Sequence, residues 1–215
     1  MARYKLHSFC QSGNCYKIAL YLNCAGLTWE PVLVDFFGGE TRTPEWRAAV
    51  NEMREVPVLE VDGKKLTQSA AILTYLAETT GKFAPATDDQ RQDALRWMLY
   101  DNYRYTNYFA TRRFLKSFAP DAPDPAVLAF LKGRADAALG VVEKHLGTMS
   151  FMLGSEPTIA DFSLVGYMYF PTEETGYDLT VSHHSIFAWT ERMKALPGWK
   201  HPYDLLPGKR IAPLR

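Results

Sequence analysis

Apolar and polar residues alternate from Tyr4 to Phe9, the period-2 pattern of a strand with one buried face. The period then changes. Cys15, Ile18, Ala19 and Leu22 recur at helical spacing, and Gly26 follows where a helix C-terminal cap belongs. Between the two patterns lies the loop FCQSGNCYK, so a strand turns into a helix at a polar, cysteine-bearing segment. Trp29 to Asp35 is β-rich, and Pro31 within it predicts an edge strand, because proline cannot donate to a ladder. Thr43-Pro44 predicts a helix start, with an N-cap followed by proline in the first helical position. VPVLEV, Asp62-Gly63 and KKLTQ form a hairpin signal. Ser69 is expected to cap a helix through SAAILTYLAETTG, closed by Gly81.

The predicted order is β-α-β-α-β-β-α, a parallel βαβ unit joined to an antiparallel hairpin. A right-handed crossover and an edge strand containing Pro31 leave few topologies, and the thioredoxin-like arrangement satisfies both. Residues 1–81 form this α/β domain, and 82–88 (KFAPATD) read as a linker. From residue 89 to 215 the pattern is all-helical. One amphipathic segment runs over residues 89–118, with Leu95, Met98, Tyr105 and Phe109 as its core stripe. A second helix spans 126–146. Thr158 to Asp161 resembles a capping box, with Asp in place of Glu or Gln, ahead of FSLVGYMYF. A last helix covers 185–195 and stops before Pro197-Gly198.

Charge narrows the field of functions. Twenty-four basic side chains balance 24 acidic ones, so no global field recruits nucleic acid or an anionic membrane. An anionic ligand must be held by local donors. No apolar run approaches the roughly 18 residues of a membrane span, and the N-terminus lacks the apolar core of a signal peptide. The three cysteines cannot all pair, which fits a reducing cytoplasm better than a disulfide-built secreted fold. His183-His184 are adjacent and no paired-cysteine spacing exists, so the sequence makes no case for a metal.

Several segments carry chemistry. A serine at a helix start, such as Ser69 after Gln68, offers a hydroxyl, free N–H groups and the positive end of the helix dipole, a set suited to a small carboxylate as well as to an ordinary cap. Val56-Pro57 begins a strand, where an outward-facing Val56 backbone can pair with a bound peptide. Cys15 falls on the apolar stripe of its helix and reads as core, and Cys24 as packing. Cys10 ends the first strand and reads either as a thiol nucleophile or mixed-disulfide partner, or as a small, half-buried hydrophobe. Cys10 and Cys15 are too far apart for a CxxC redox pair.

In that order SGNCYKIALYLNCAG, NEMREVPVLEVDG with TQSAAILTYL, SEPTIADFSL and WTERMKALPGWK resemble the motifs of the cytosolic glutathione transferases, bacterial type, across nearly the whole chain. The resemblance implies a thioredoxin-like glutathione-binding domain and an all-helical electrophile-binding domain. It implies that Ser12 is the serine of theta- and zeta-like members, donating to the glutathione sulfur and keeping it a thiolate. A cis Val56-Pro57 would present Val56 to the tripeptide, and Gln68 and Ser69 would hold its γ-glutamyl end. Asn14 stands where beta-type members carry a cysteine and joins the glutathione contacts. Arg54, Arg42 and Lys17 are the cations available to the glycine carboxylate, because Glu55 occupies the place where the family often has Gln or Lys. A second stripe, Tyr100, Tyr103, Arg104, Asn107, Tyr108 and Arg112, suits a flat or anionic electrophile, with Tyr103 and Tyr108 as candidate contacts. Asp161 looks catalytic but reads as structural. The family implies no cofactor beyond glutathione, a cytoplasmic location and a homodimer. Two rivals stand beside conjugation: a glutathione-dependent thiol/disulfide oxidoreductase using Cys10, and a non-catalytic transferase-like binding module.

Overall fold

The computed structural model describes residues 3–215. The alternation at the N-terminus becomes strand β1 (Tyr4–Ser8), with Tyr4, Leu6 and Ser8 buried. Helix α1 (Gly13–Cys24) follows. Its C-terminus closes as the glycine predicts: Gly26 takes φ +69°, and the Leu27 and Gly26 N–H groups bond to the carbonyls of Leu22 and Asn23. Strand β2 (Trp29–Leu33) pairs parallel with β1, and helix α2 (Pro44–Ala49) starts at Thr43, whose hydroxyl accepts the Trp46 N–H at 3.1 Å. Strands β3 (Val58–Val61) and β4 (Lys64–Thr67) form the hairpin, turning through Asp62 and Gly63 with φ of 49° and 77°. The sheet order is β2-β1-β3-β4, so the Pro31 strand lies at an edge as expected. Helix α3 (Ser69–Thr80) completes a thioredoxin-like α/β unit.

One expectation for this unit needs correcting. Ser69 is the first residue inside α3, not its cap. Gln68 occupies the cap position with φ +66° and makes no side-chain capping bond. Because Gln68 takes the turn, the Ser69 hydroxyl is not committed to capping.

The chain then forms a helical unit. Helix α4 (Asp88–Tyr100) and helix α5 (Thr106–Ser117) are continuous through a π-turn at Asp101–Tyr105, where the Thr106 N–H reaches five residues back to the Asp101 carbonyl. The periodicity predicts the length of this run but not the π-turn. At that turn the buried Asp101 carboxylate accepts the hydroxyls of Thr106 (2.5 Å) and Ser163 (2.6 Å). Met98, Tyr105 and Phe109 are buried as expected, but Leu95 is 47 % exposed. Ala94 and Trp97 take its place in the core.

Helix α6 (Pro125–Leu146) and the short helix α7 (Ile159–Leu164) follow. Between α7 and the last long helix, two single-turn helices were not anticipated: α8 (Thr172–Thr175) and α9 (Leu179–Ser182). Helix α10 (His184–Lys194) lies within one residue of its predicted span. Asp161 is structural: its buried carboxylate accepts the N–H groups of Met152 and Thr158, both at 2.8 Å, the Thr158 hydroxyl at 3.2 Å and the Trp189 indole N–H at 2.9 Å. Burial pushes its carboxyl above the usual range against the pull of those donors. A buried ion pair, Arg113 with Glu174, ties α5 to α8.

The domain boundary also departs from expectation. The first compact unit runs to Ala84 and takes in Leu196–Arg210, while the second comprises Pro85–Ala195 and Ile211–Arg215. After α10 the chain therefore rejoins the α/β unit, adding the one-turn helix α11 (Pro202–Leu205). The predicted single block over 89–215 is cut there. The reason is specific contact: Asn23 donates to the Gly198 carbonyl, Tyr16 to that of Lys200 at 2.8 Å and Gln11 to that of Lys209 at 2.9 Å.

Candidate active site

The strand-to-helix loop is built from both ends. Phe9, the last apolar residue of the strand pattern, stacks on Phe36 with ring centroids 4.7 Å apart and meets Phe37 edge-on at 5.8 Å. Three residues on, the Ser12 N–H bonds the Phe9 carbonyl at 3.1 Å, closing a tight turn. Ser12 is the N-cap of α1: its hydroxyl accepts the Cys15 N–H at 3.2 Å and its carbonyl the Tyr16 N–H at 3.0 Å. A serine hydroxyl has one hydrogen and two lone pairs. Accepting from Cys15 uses a lone pair and leaves the O–H hydrogen as a donor, on a residue that is 7 % exposed. The positive end of α1 lies behind it.

The neighbouring thiols are poorly suited to nucleophilic attack. Cys15 is fully buried, and burial pushes its pKa up to about 12, against the pull of the Ser12 hydroxyl. Burial does the same to Cys24. Cys10 is 1 % exposed and its thiol donates to Gln11 Oε1 at 3.3 Å. All three cysteines are reduced thiols. An aromatic disulfide reagent should therefore modify the native protein slowly and release three equivalents of thiolate only after denaturation. A fast single equivalent traced to Cys10 would restore that residue as a candidate nucleophile.

A second group of predicted residues gathers at the β3–α3 end of the sheet. The Val56-Pro57 peptide is cis, as the resemblance implied. The loop before it is organised by a residue the sequence reading missed. Asn51 is buried, its amide donates to the Glu55 carbonyl at 2.9 Å, its side-chain oxygen accepts the Met53 N–H at 3.0 Å, and its own carbonyl accepts the Arg54 N–H at 3.1 Å. Gln68 Nε2 donates to Glu55 Oε2 at 2.9 Å and to the Met53 sulfur at 3.3 Å, which turns Gln68 Oε1 away as an acceptor. Thus Glu55, which departs from the family pattern, engages Gln68. Ser69 is buried beside it at the start of α3. The signal that could have found Asn51 is its place in the segment NEMREVP, where an Asn side chain can bond the backbone two to four residues on.

The remaining predicted residues are scattered. Asn14 lies in the first turn of α1, and its Oδ1 is buried without a hydrogen-bond partner. Arg54 and Arg42 are exposed, Arg54 with φ +61°. Lys17, expected as a surface cation, is fully buried in α1. In the helical unit, Tyr103 is 65 % exposed in the π-turn with the Arg104 guanidinium 5.1 Å from its ring centre, and Tyr108 is half-buried on α5. Among the described residues, no group of three His, Cys, Asp or Glu side chains could hold a metal ion, and no helix is long and apolar enough to cross a membrane.

A thioredoxin-like unit bearing a cis-proline strand start, followed by a helical unit, defines a class, and the comparisons agree with it. The glutathione S-transferase N-terminal domain family matches residues 6–84, and the C-terminal domain family matches residues 111–201. The chain belongs to the glutathione S-transferase family. It is similar to a glutathione S-transferase from Pseudomonas fluorescens, with 34 % identity and a TM-score of 0.84 over 94 % of this chain and 99 % of that one. A glutathione S-transferase from Xanthobacter autotrophicus Py2 is also 34 % identical, with a TM-score of 0.82 over 92 % of this chain and 95 % of that one. A maleylacetoacetate isomerase from Rhizobium meliloti is 34 % identical over 76 % of this chain and 79 % of its own length.

Proposed function

We propose that this protein binds glutathione on its α/β unit, holds the sulfur as a thiolate, and adds it to an electrophilic carbon of a small molecule. It is a glutathione-dependent enzyme of the transferase class. The observation that carries the catalytic assignment is the Ser12 hydroxyl: an N-cap whose lone pair is used by Cys15 N–H and whose hydrogen remains to donate. The thiol proton leaves to solvent, and the thiolate, stabilised by Ser12 and the start of α1, attacks the carbon. A C–S bond forms, and either a leaving group departs with its electron pair or the adduct takes up a proton.

At the γ-glutamyl end, Ser69 and the first N–H groups of α3 receive the carboxylate, while Gln68 Oε1 accepts from the amino group. The Val56 backbone pairs with the cysteinyl segment as an added strand would, and Asn14 and Arg54 complete the contacts. Calorimetry of Ser69→Ala should show glutathione binding about ten- to a hundredfold weaker, the value of a hydrogen bond to a charged group, with turnover at saturation retained. Unchanged affinity would remove Ser69 from the site.

Tyr103 and Tyr108 are candidate contacts for the electrophile. No cofactor beyond glutathione is required by this chemistry. The similarity to an isomerase is compatible with it, because a thiolate that adds to a conjugated double bond and leaves again isomerises the bond without net conjugation. We place the protein in the cytoplasm as a homodimer. Leu95, Leu99 and Tyr103, spaced four apart and all exposed, form an apolar stripe that supports association. The buried Cys10 weighs against the disulfide-reductase alternative. The Ser12 hydroxyl at the start of α1 and the Ser69 hydroxyl at the start of α3 weigh against a non-catalytic module.

A further inference from the structure

The segment Leu196–Arg210 runs as a strap along α1, from its C-terminus back to its N-terminus. It is fastened in order by Asn23 to the Gly198 carbonyl, by Tyr16 to Lys200 at 2.8 Å and by Gln11 to Lys209 at 2.9 Å. Two glycines allow the close approach. Gly198 has φ +83°, and a Cβ there would lie 2.6 Å from the Asn23 carbonyl oxygen. Gly208 has φ +100°, and a Cβ there would meet Leu33 Cδ1 at 3.2 Å and the Cys10 sulfur at 3.7 Å. The far end of the strap thus closes directly over the loop that carries Ser12.

Gln11 is where strap and loop are joined. It is buried, its Nε2 donates to the strap carbonyl of Lys209, and its Oε1 accepts from the Cys10 thiol at 3.3 Å. Donating and accepting with opposite ends fixes the amide plane, and the side chain sits on the residue immediately before Ser12. Besides this anchor, the turn is closed by the Ser12-to-Phe9 backbone bond and capped onto α1.

We infer that Gln11, held by the C-terminal strap at Lys209 and Gly208, is a positioning residue that aims the Ser12 hydroxyl at the glutathione sulfur. This rests on the reading of Ser12 given under the proposed function. The strap acts through geometry: a loop released from it keeps its serine but loses the fixed direction of the O–H. A hydrogen bond weakens steeply as its angle and length drift, so the thiolate is what suffers.

The test follows the thiolate absorbance of bound glutathione across pH in the full-length chain, comparing wild type, Gln11→Met, Gly208→Val and Ser12→Ala. Methionine fills the space of Gln11 without its strong donor, and valine at Gly208 displaces the strap from the opposite side. The expected result for Gln11→Met and Gly208→Val is a bound-thiol pKa raised by about one unit and kcat lowered about tenfold, with glutathione affinity within about twofold of wild type. Gln11→Met is the variant that keeps the test decisive if Gly208→Val does not fold. If Ser12→Ala raises the thiol pKa and Gln11→Met leaves it at the wild-type value, the strap inference is overturned and the Ser12 reading survives. If Ser12→Ala itself leaves the thiol pKa and kcat unchanged, the Ser12 reading is overturned, and the inference with it. A loss of melting temperature in Gln11→Met without a change in thiol pKa identifies a purely structural role and also overturns it.

Discussion

Ser12→Ala is expected to lower turnover with an aryl chloride by about ten- to a hundredfold while glutathione affinity stays close to wild type. The size comes from the bond that is lost. A hydroxyl donating to an anion stabilises it by about 1.5–3 kcal/mol, and each 1.4 kcal/mol is a factor of ten in the population of thiolate or in rate. The affinity is spared because the γ-glutamyl and backbone contacts lie at Ser69, Gln68 and Val56, away from the substitution. Alanine also removes the N-cap bond to Cys15 N–H, which costs about 1 kcal/mol of stability, so a melting curve must accompany the kinetics. Ser12→Thr keeps both the cap and the donor and should retain most of the rate. Undiminished turnover in Ser12→Ala would sink the assignment.

The largest stability effect is expected at Asp161. One buried carboxylate accepts four hydrogen bonds, from Met152 N–H, Thr158 N–H, the Thr158 hydroxyl and Trp189 Nε1–H. Asp161→Ala leaves those donors in a buried site. At about 1–3 kcal/mol for each unsatisfied group, and allowing for relaxation, the cost is about 4 kcal/mol or more. Chemical denaturation would measure it. Asp161→Asn should also destabilise, because its amide nitrogen faces donors where an acceptor is needed. A near-wild-type midpoint with lost turnover would mean that Asp161 serves the reaction rather than the fold.

Residues that depend on near neighbours were legible. The Gly26 close, the Thr43-Pro44 start and the Asp62-Gly63 turn each involve residues within five positions, so local chemistry specifies them. The capping contact of Thr158 with Asp161 belongs to the same group, and it identified Asp161 as structural. Motif order reached further and pointed to the cis Val56-Pro57 peptide and to the family. Legibility failed where a residue's state depends on what packs over it. Lys17 and Leu95 illustrate this in opposite directions: a lysine that is buried and a leucine that is exposed.

The sequence by itself determined the strands, the long helices and the family, because periodicity and turns are local and the motifs recur in a set order. Only the tertiary structure decided the state of Cys10 and the surroundings of Ser12. Cys10 is buried, and Gln11 meets Lys209 across 198 positions of chain. No periodicity encodes that meeting. It exists because the chain returns after α10, two glycines let the backbones approach, and a buried amide there needs partners.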